Sequence, residues 1–145
     1  MQLVFSKVIT NNKHANKKEY LKVEKEIVKL VTNKKLLHKK NGKPYINSKN
    51  IHISISNNNN IIIVAFNKKP VGVDIQRIHK YTSVNNIILI SMKEALFKAC
   101  DISWDIINKL NIISNKINII KINDNIYYLN TKILNNYVFS ICYKY

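Results

Sequence analysis

The chain has 145 residues and a mass of 16.9 kDa, enough for one compact domain, or two packed halves, to bury a core without disulfide staples. A hydrophobic content of 46% with only two Gly and two Pro excludes a collagen-like, Pro-rich or wholly disordered chain. The net charge of +16 would attract phosphates, nucleic acid or an acidic protein, but Arg77 is the only Arg, and heavy use of Lys, Asn and Ile makes A/T-rich codons an equally good source of the charge.

Residues 2–9 read as a strand and 10–17 as a polar loop. From Lys18 to about Thr32 the pattern is helical, with Tyr20, Val23, Ile27, Leu30 and Val31 in one apolar stripe and Glu and Lys, including Glu24 and Glu26, on the other face. Residues 38–44 form a basic turn on Asn41-Gly42. Residues 51–56 alternate, with Ile51, Ile53 and Ile55 opposite His52, Ser54 and Ser56, as in a half-buried strand. The Asn run 57–60 is a loop, 61–66 a strand buried on both faces, and 71–75 the return strand of a hairpin turning at NKKP. Residues 89–100 are helical, with Ser91 and Glu94 at capping-box spacing. Residues 101–115 are ambiguous, with Trp104 expected in the core. Residues 116–142 read as a three-strand meander with turns at Asn123–Asn125 and Asn135-Asn136.

The order predicts an α+β fold, a single compact unit over 1–145 whose similar halves, about 1–74 and 75–145, each set a helix on an antiparallel sheet. No apolar run of membrane-spanning length occurs. The N-terminus does not read as a signal peptide, and two cysteines, Cys100 and Cys142, make no disulfide framework. The expectation is a cytoplasmic protein with no membrane contact. His14, His38, His52 and His79 show no metal-ligand spacing.

In so basic a chain the acids are the informative residues. Asp74 lies in V-G-V-D-I-Q-R, on a strand face where Gly72, two residues earlier, leaves room for a ligand. Taken alone, an Asp after a hairpin more often caps a turn. Glu94 and Lys98 in S-M-K-E-A-L-F-K lie one helical turn apart. Such a pair is commonly a surface ion pair worth a few tenths of a kcal/mol; over a phosphate, the carboxylate would hold Mg²⁺ or take a proton and the ammonium would neutralise an oxygen.

Together, V71-G72-V73-D74 and K93-E94-A95-L96-F97-K98 resemble the signature of the 4′-phosphopantetheinyl transferase superfamily. N-G-K-P-Y-I at 41–46, I-H-I-S-I-S-N at 51–57 and, more loosely, the closing Y-V-F-S-I-C extend the resemblance, which covers residues 40–100 best. The resemblance implies an α+β pseudo-dimer, or a trimer of half-size chains, that moves the phosphopantetheine arm of coenzyme A to a serine of an acyl or peptidyl carrier protein. Such chemistry serves fatty acid, polyketide or nonribosomal peptide biosynthesis. By the same resemblance, Asp74 and Glu94, with Gln76, would ligate Mg²⁺; Glu94 would take the serine proton, and Lys98 would stabilise the leaving 3′,5′-ADP. Lys43, Ser56, Asn57 and Lys98 would hold coenzyme A, with Lys17 or Lys18 reaching its phosphates.

The chain departs from the pattern in several places. Gln76 stands where an acid is common, and Asn57 where a His usually follows the Ser. Ile90 replaces an aromatic, no G-x-G follows Lys98, and Asp74 and Glu94 are only 20 positions apart. The chain therefore resembles a shortened relative of the larger, surfactin-synthetase-activating type, expected to be a monomer, with a trimer left open. An acidic carrier protein suits the positive surface. A catalytically silent relative that binds coenzyme A or a carrier protein is the alternative. Nucleic acid is the least favoured partner, since Tyr127, Tyr128, Tyr137, Tyr143 and Tyr145 fit a core or cross-strand pairs better than base stacking.

Overall fold

The computed structural model describes residues 1–8, 14–114 and 116–145; the expected strand end at Ile9 and the loop residues 10–13 lie outside the described residues. Strand β1 (Gln2–Lys7) precedes helix α1 (Lys17–Thr32), the short hairpin β2 (Leu37–His38) and β3 (Pro44–Tyr45), and strands β4 (His52–Asn58) and β5 (Ile61–Asn67). Strand β6 (Val71–Arg77), helices α2 (Val84–Cys100) and α3 (Trp104–Lys109), and strands β7 (Asn118–Ile122), β8 (Asn125–Leu134) and β9 (Tyr137–Lys144) follow. The class is α+β with antiparallel sheets.

One sheet has the order β1-β5-β4, the other β6-β9-β8-β7, and β2 pairs with β3. Strand alternation distributes the apolar residues into three cores. Ile62, Val64 and Phe66 of β5 turn towards Ile27 and Val28 of α1. Leu129, Val138 and Cys142 turn towards Ile88, Met92, Leu96 and Ala99 of α2. Between the sheets, Ile63 and Ala65 of β5 join Val71, Val73 and Ile75 of β6 and Phe139 and Ile141 of β9. Phe5 meets Phe139 edge-on at 5.4 Å.

Asn16 starts α1, accepting from the amides of Lys18 and Glu19 at 2.9 and 3.0 Å while Glu19 accepts from the Asn16 amide at 2.7 Å. That reciprocal cap satisfies amides that the helix itself cannot. The turns at Asn59-Asn60 and Asn135-Asn136 place both residues at positive φ, the two-residue geometry that matches strand twist and that Asn tolerates better than most residues.

Several expectations are corrected. Leu30 is 85% exposed, and the buried face of α1 instead holds Val28 and Glu24. The hairpin from β5 to β6 does not form: β1 and β4 already occupy both edges of β5, so β6 crosses over and pairs with β9. β6 thus belongs to the second sheet, whereas a division at 74 puts it with the first half. Ser91 is no cap. The helix begins at Val84, with Ser83 before it, and Ser91 is wholly buried within it, its hydroxyl without a hydrogen-bond partner among the described residues. Burial of Ile87 and Ile88 overrides the weak helix propensity of that β-branched stretch. Trp104 is 40% exposed, stacked on Phe97 at 5.0 Å. The meander at 116–142 forms, and Tyr128 and Tyr143 stack as a cross-strand pair.

Candidate functional site

Asp74, Glu94 and Lys98 converge where α2 lies over β6. Gly72 is the reason they can. A Cβ there would stand 1.9 Å from the Ala95 carbonyl oxygen and 2.7 Å from the Ala99 amide nitrogen. The space that the sequence suggested for a ligand is filled by the backbone of α2. The glycine brings the helix against the strand, and Glu94 and Lys98 come with it.

Asp74 is 1% exposed. Its Oδ1 accepts from the Lys98 ammonium at 3.0 Å and the Ser56 hydroxyl at 2.9 Å, and its Oδ2 accepts from Gln76 Nε2 at 3.0 Å. Lys98 also donates to the Val73 carbonyl at 3.0 Å and to Ser56 Oγ at 3.2 Å, and it lies 3.9 Å from Glu94 Oε2. The ammonium is therefore shared between an inner and an outer carboxylate, unlike a surface pair within one helix. Burial, and then the adjacent Asp74 charge, raise the Glu94 pKa, with Lys98 opposing them. Two neighbouring carboxyls that share one ammonium favour a proton or a cation between them.

Gln76 faces Asp74 with its amide nitrogen; a metal ligand would present Oε1, which exchange of the amide orientation supplies. Asp74 keeps only part of its lone-pair capacity, at Oδ2, and Glu94 is about one-third exposed. That set suits Mg²⁺, which takes one or two carboxylates and otherwise keeps water or phosphate oxygens. Among the described residues no three His, Cys, Asp or Glu side chains gather as a metal-binding group.

Ser56 reaches the site because β4 runs beside β6 without a backbone ladder. The Ser54 hydroxyl accepts from the Val73 amide at 3.0 Å and that of Ser56 from the Ile75 amide at 3.3 Å. The polar face of β4, expected in solvent beside His52, is thus buried at Ser54 and Ser56 and serves the free edge of β6.

Lys43 stands apart from the carboxylates. It lies on the turn between β2 and β3 and pairs with Asp101, the C-cap of α2, at 3.2 Å. Two adjoining cavities of about 340 and 380 Å³ meet there, sharing Lys43, Pro44, Ile53, Lys98 and Asp101 in their walls. Asp74 and Glu94 are not wall residues, so Lys98 is the link between cavity and carboxylates. His52 lines the first cavity, its pKa lowered by partial burial and by Lys43.

Asn57 turns the other way. Its Nδ2 donates to Glu24 Oε1 at 3.1 Å, in a separate cavity lined also by Lys17, Tyr20, His38 and Gly42. Glu24, read from sequence as surface, is 5% exposed, and burial raises its pKa. Its spacing, four after Tyr20 and three before Ile27, is the signal that could have found it. Asp101 and Ser54 carried no comparable sign. No family model matches the chain, and no curated protein matches its sequence.

Proposed function

We propose that the chain is a Mg²⁺-dependent 4′-phosphopantetheinyl transferase, with coenzyme A as donor and a serine of an acidic acyl or peptidyl carrier protein as acceptor. The observation that carries this reading is the meeting of Asp74, Glu94 and Lys98 at one point, beside a cleft lined by three lysines, Lys39, Lys43 and Lys98. The strand orders also suit two similar halves, because each sheet sets its first strand beside its last, with a helix between them in sequence.

Asp74 and Glu94, with Gln76 after amide exchange, would hold Mg²⁺, which supplies charge neutralisation on the pyrophosphate. Glu94, whose affinity for a proton is raised by burial and Asp74, accepts the proton of the acceptor serine. The serine oxygen bonds to the phosphorus bearing pantetheine, the bond to the second phosphate breaks, and 3′,5′-ADP leaves. Lys98 offsets the charge on that leaving group, and Lys43 and Ser56 contribute to holding the nucleotide. The reading places the chain in the cytoplasm as a monomer.

One observation favours a silent relative that binds without turnover: two residues assigned to the nucleotide are engaged elsewhere, Lys43 with Asp101 and Asn57 with Glu24. Intact mass after incubation with coenzyme A, Mg²⁺ and a panel of apo carrier proteins separates the two. Transfer adds about 340 Da to the carrier and is lost in Asp74→Asn and Glu94→Gln. No gain, with coenzyme A still raising the melting temperature, selects the silent binder. No gain and no thermal shift discards both.

A further inference from the structure

The only two cysteines of the chain, 42 positions apart, end up together, and the transfer chemistry uses neither. Cys142 on β9 sits opposite Gly72 in the strand register, and Gly72 is the point where the backbone of Ala95 and Ala99 presses on β6. Cys142 faces α2 and is wholly buried; Cys100, the last residue of α2, packs against the same core. The two thiols and the Tyr127 hydroxyl lie close enough in that core to influence one another's titration. Cys100 also lines the 340 Å³ cavity beside Lys43 and Lys98, so a small solute reaches it while Cys142 stays covered.

We propose that Cys100 and Cys142 are a peroxide-sensing pair that closes to a disulfide and clamps the last turn of α2 onto β9. The Cys100 thiolate attacks one oxygen of hydrogen peroxide. The O–O bond breaks, a sulfenic acid forms, and the departing hydroxide takes a proton to become water. The Cys142 sulfur then attacks the Cys100 sulfur, the S–O bond breaks, and the hydroxyl leaves as water with the Cys142 proton. Two thiols and one peroxide give one disulfide and two waters.

The division of labour follows from the surroundings. Cys100 is the attacking sulfur because it lines the open cavity, and because the neighbouring Cys142 thiol, then Tyr127 and Lys43, favour its thiolate against the cost of burial. The covered Cys142, whose pKa is raised by the neighbouring Cys100 and by burial, is the resolving thiol. The turn that the bond would fix carries Lys98 and Asp101, so oxidation acts on the cleft through the position of those residues.

The test is intact mass and peptide mapping of the whole protein treated with hydrogen peroxide, then with a dithiol reductant. The expected result is a loss of about 2 Da, a peptide linking residues 100 and 142, recovery of both thiols on reduction, and no cross-link in Cys100→Ser. The readout needs neither coenzyme A nor a carrier protein, so it stands or falls apart from the transferase reading. The wild-type measurement decides the matter even if Cys100→Ser does not fold. An oxidised Cys100 without the cross-link, a disulfide-linked dimer, or no change at a dose that oxidises a free cysteine peptide each overturns the proposal.

Discussion

Glu24 shows how much a single side chain can carry against its environment. It holds a carboxyl on the buried face of α1 with Asn57 as its donor. Burial raises its pKa above 4.5, and the Asn57 hydrogen bond and His38 only partly oppose the shift. In the unfolded chain the carboxyl titrates at its ordinary value. Between that value and the raised one the folded protein binds the extra proton, so this group's contribution to stability falls as pH rises through the window. Glu24→Gln keeps an acceptor for Asn57 and removes the charge. It is expected to melt above the wild type near neutral pH and to converge with it at acid pH, a comparison that thermal melts across pH make directly. A lower melting temperature at neutral pH would mean that the ionised Asn57–Glu24 contact outweighs burial. The same residue marks the limit of what the sequence reveals. Asp74, Glu94 and Lys98 were legible because acids stand out in a basic chain and their motifs are local. Glu24 was read by its charge instead of by its place between Tyr20 and Ile27. The positions of Lys43 and Asn57 relative to the carboxylates depend on tertiary pairings, with Asp101 and with Glu24, that no local spacing announces.

At the scale of elements, the contact between α2 and β6 is fixed by Gly72. Strand propensity alone predicts that Gly72→Ala gains stability, since glycine weakens a strand by about 0.5–1 kcal/mol relative to alanine. Packing predicts the opposite, because the added Cβ would meet the Ala95 carbonyl at 1.9 Å and the Ala99 amide at 2.7 Å, both backbone groups that cannot rotate away. We expect packing to win, with a loss of about 3 kcal/mol or more in urea denaturation and separation of Lys98 from Asp74. Unchanged stability would mean that α2 can lift off β6 at little cost. The elements themselves were largely visible in the sequence: the meander at 116–142, the central strand at 61–66 and the helix from 17 or 18 all follow from period and turn residues. The strand at 71–75 was visible too, but its partner was not. A short link between two strands favours a hairpin only when the first strand has a free edge, and β5 has none once β1 and β4 are in place. Likewise β4 was read as half exposed because Ser54 and Ser56 are polar, whereas they supply the acceptors that the free edge of β6 needs.

For the whole molecule the question is whether the two sheets fold as one. Each has its own helix and core, and each is small enough to be marginal alone. The third cluster makes them interdependent: Ile63 and Ala65 of β5 are buried against Val71, Val73, Ile75 and the inward face of β9, and Ser54 and Ser56 close the polar seam beside them. Removing apolar contact from one side of that cluster should therefore be felt on the other. Ile63→Ala, in the first sheet and 2% exposed, is expected to cost about 3 kcal/mol. Trp104 is the chain's only tryptophan and stacks on Phe97 of α2, the helix packed on the second sheet, so its fluorescence reports on that helix and not on β5. With one cooperative unit, the Trp104 transition and the far-ultraviolet dichroism transition move together and by the same free energy in Ile63→Ala, as two-state unfolding requires. If Trp104 kept its wild-type midpoint while the dichroism split into two steps, the sheets would be separate folding units. The candidate site would then be built across a seam that opens on its own, with Ser56 on one side and Asp74, Glu94 and Lys98 on the other.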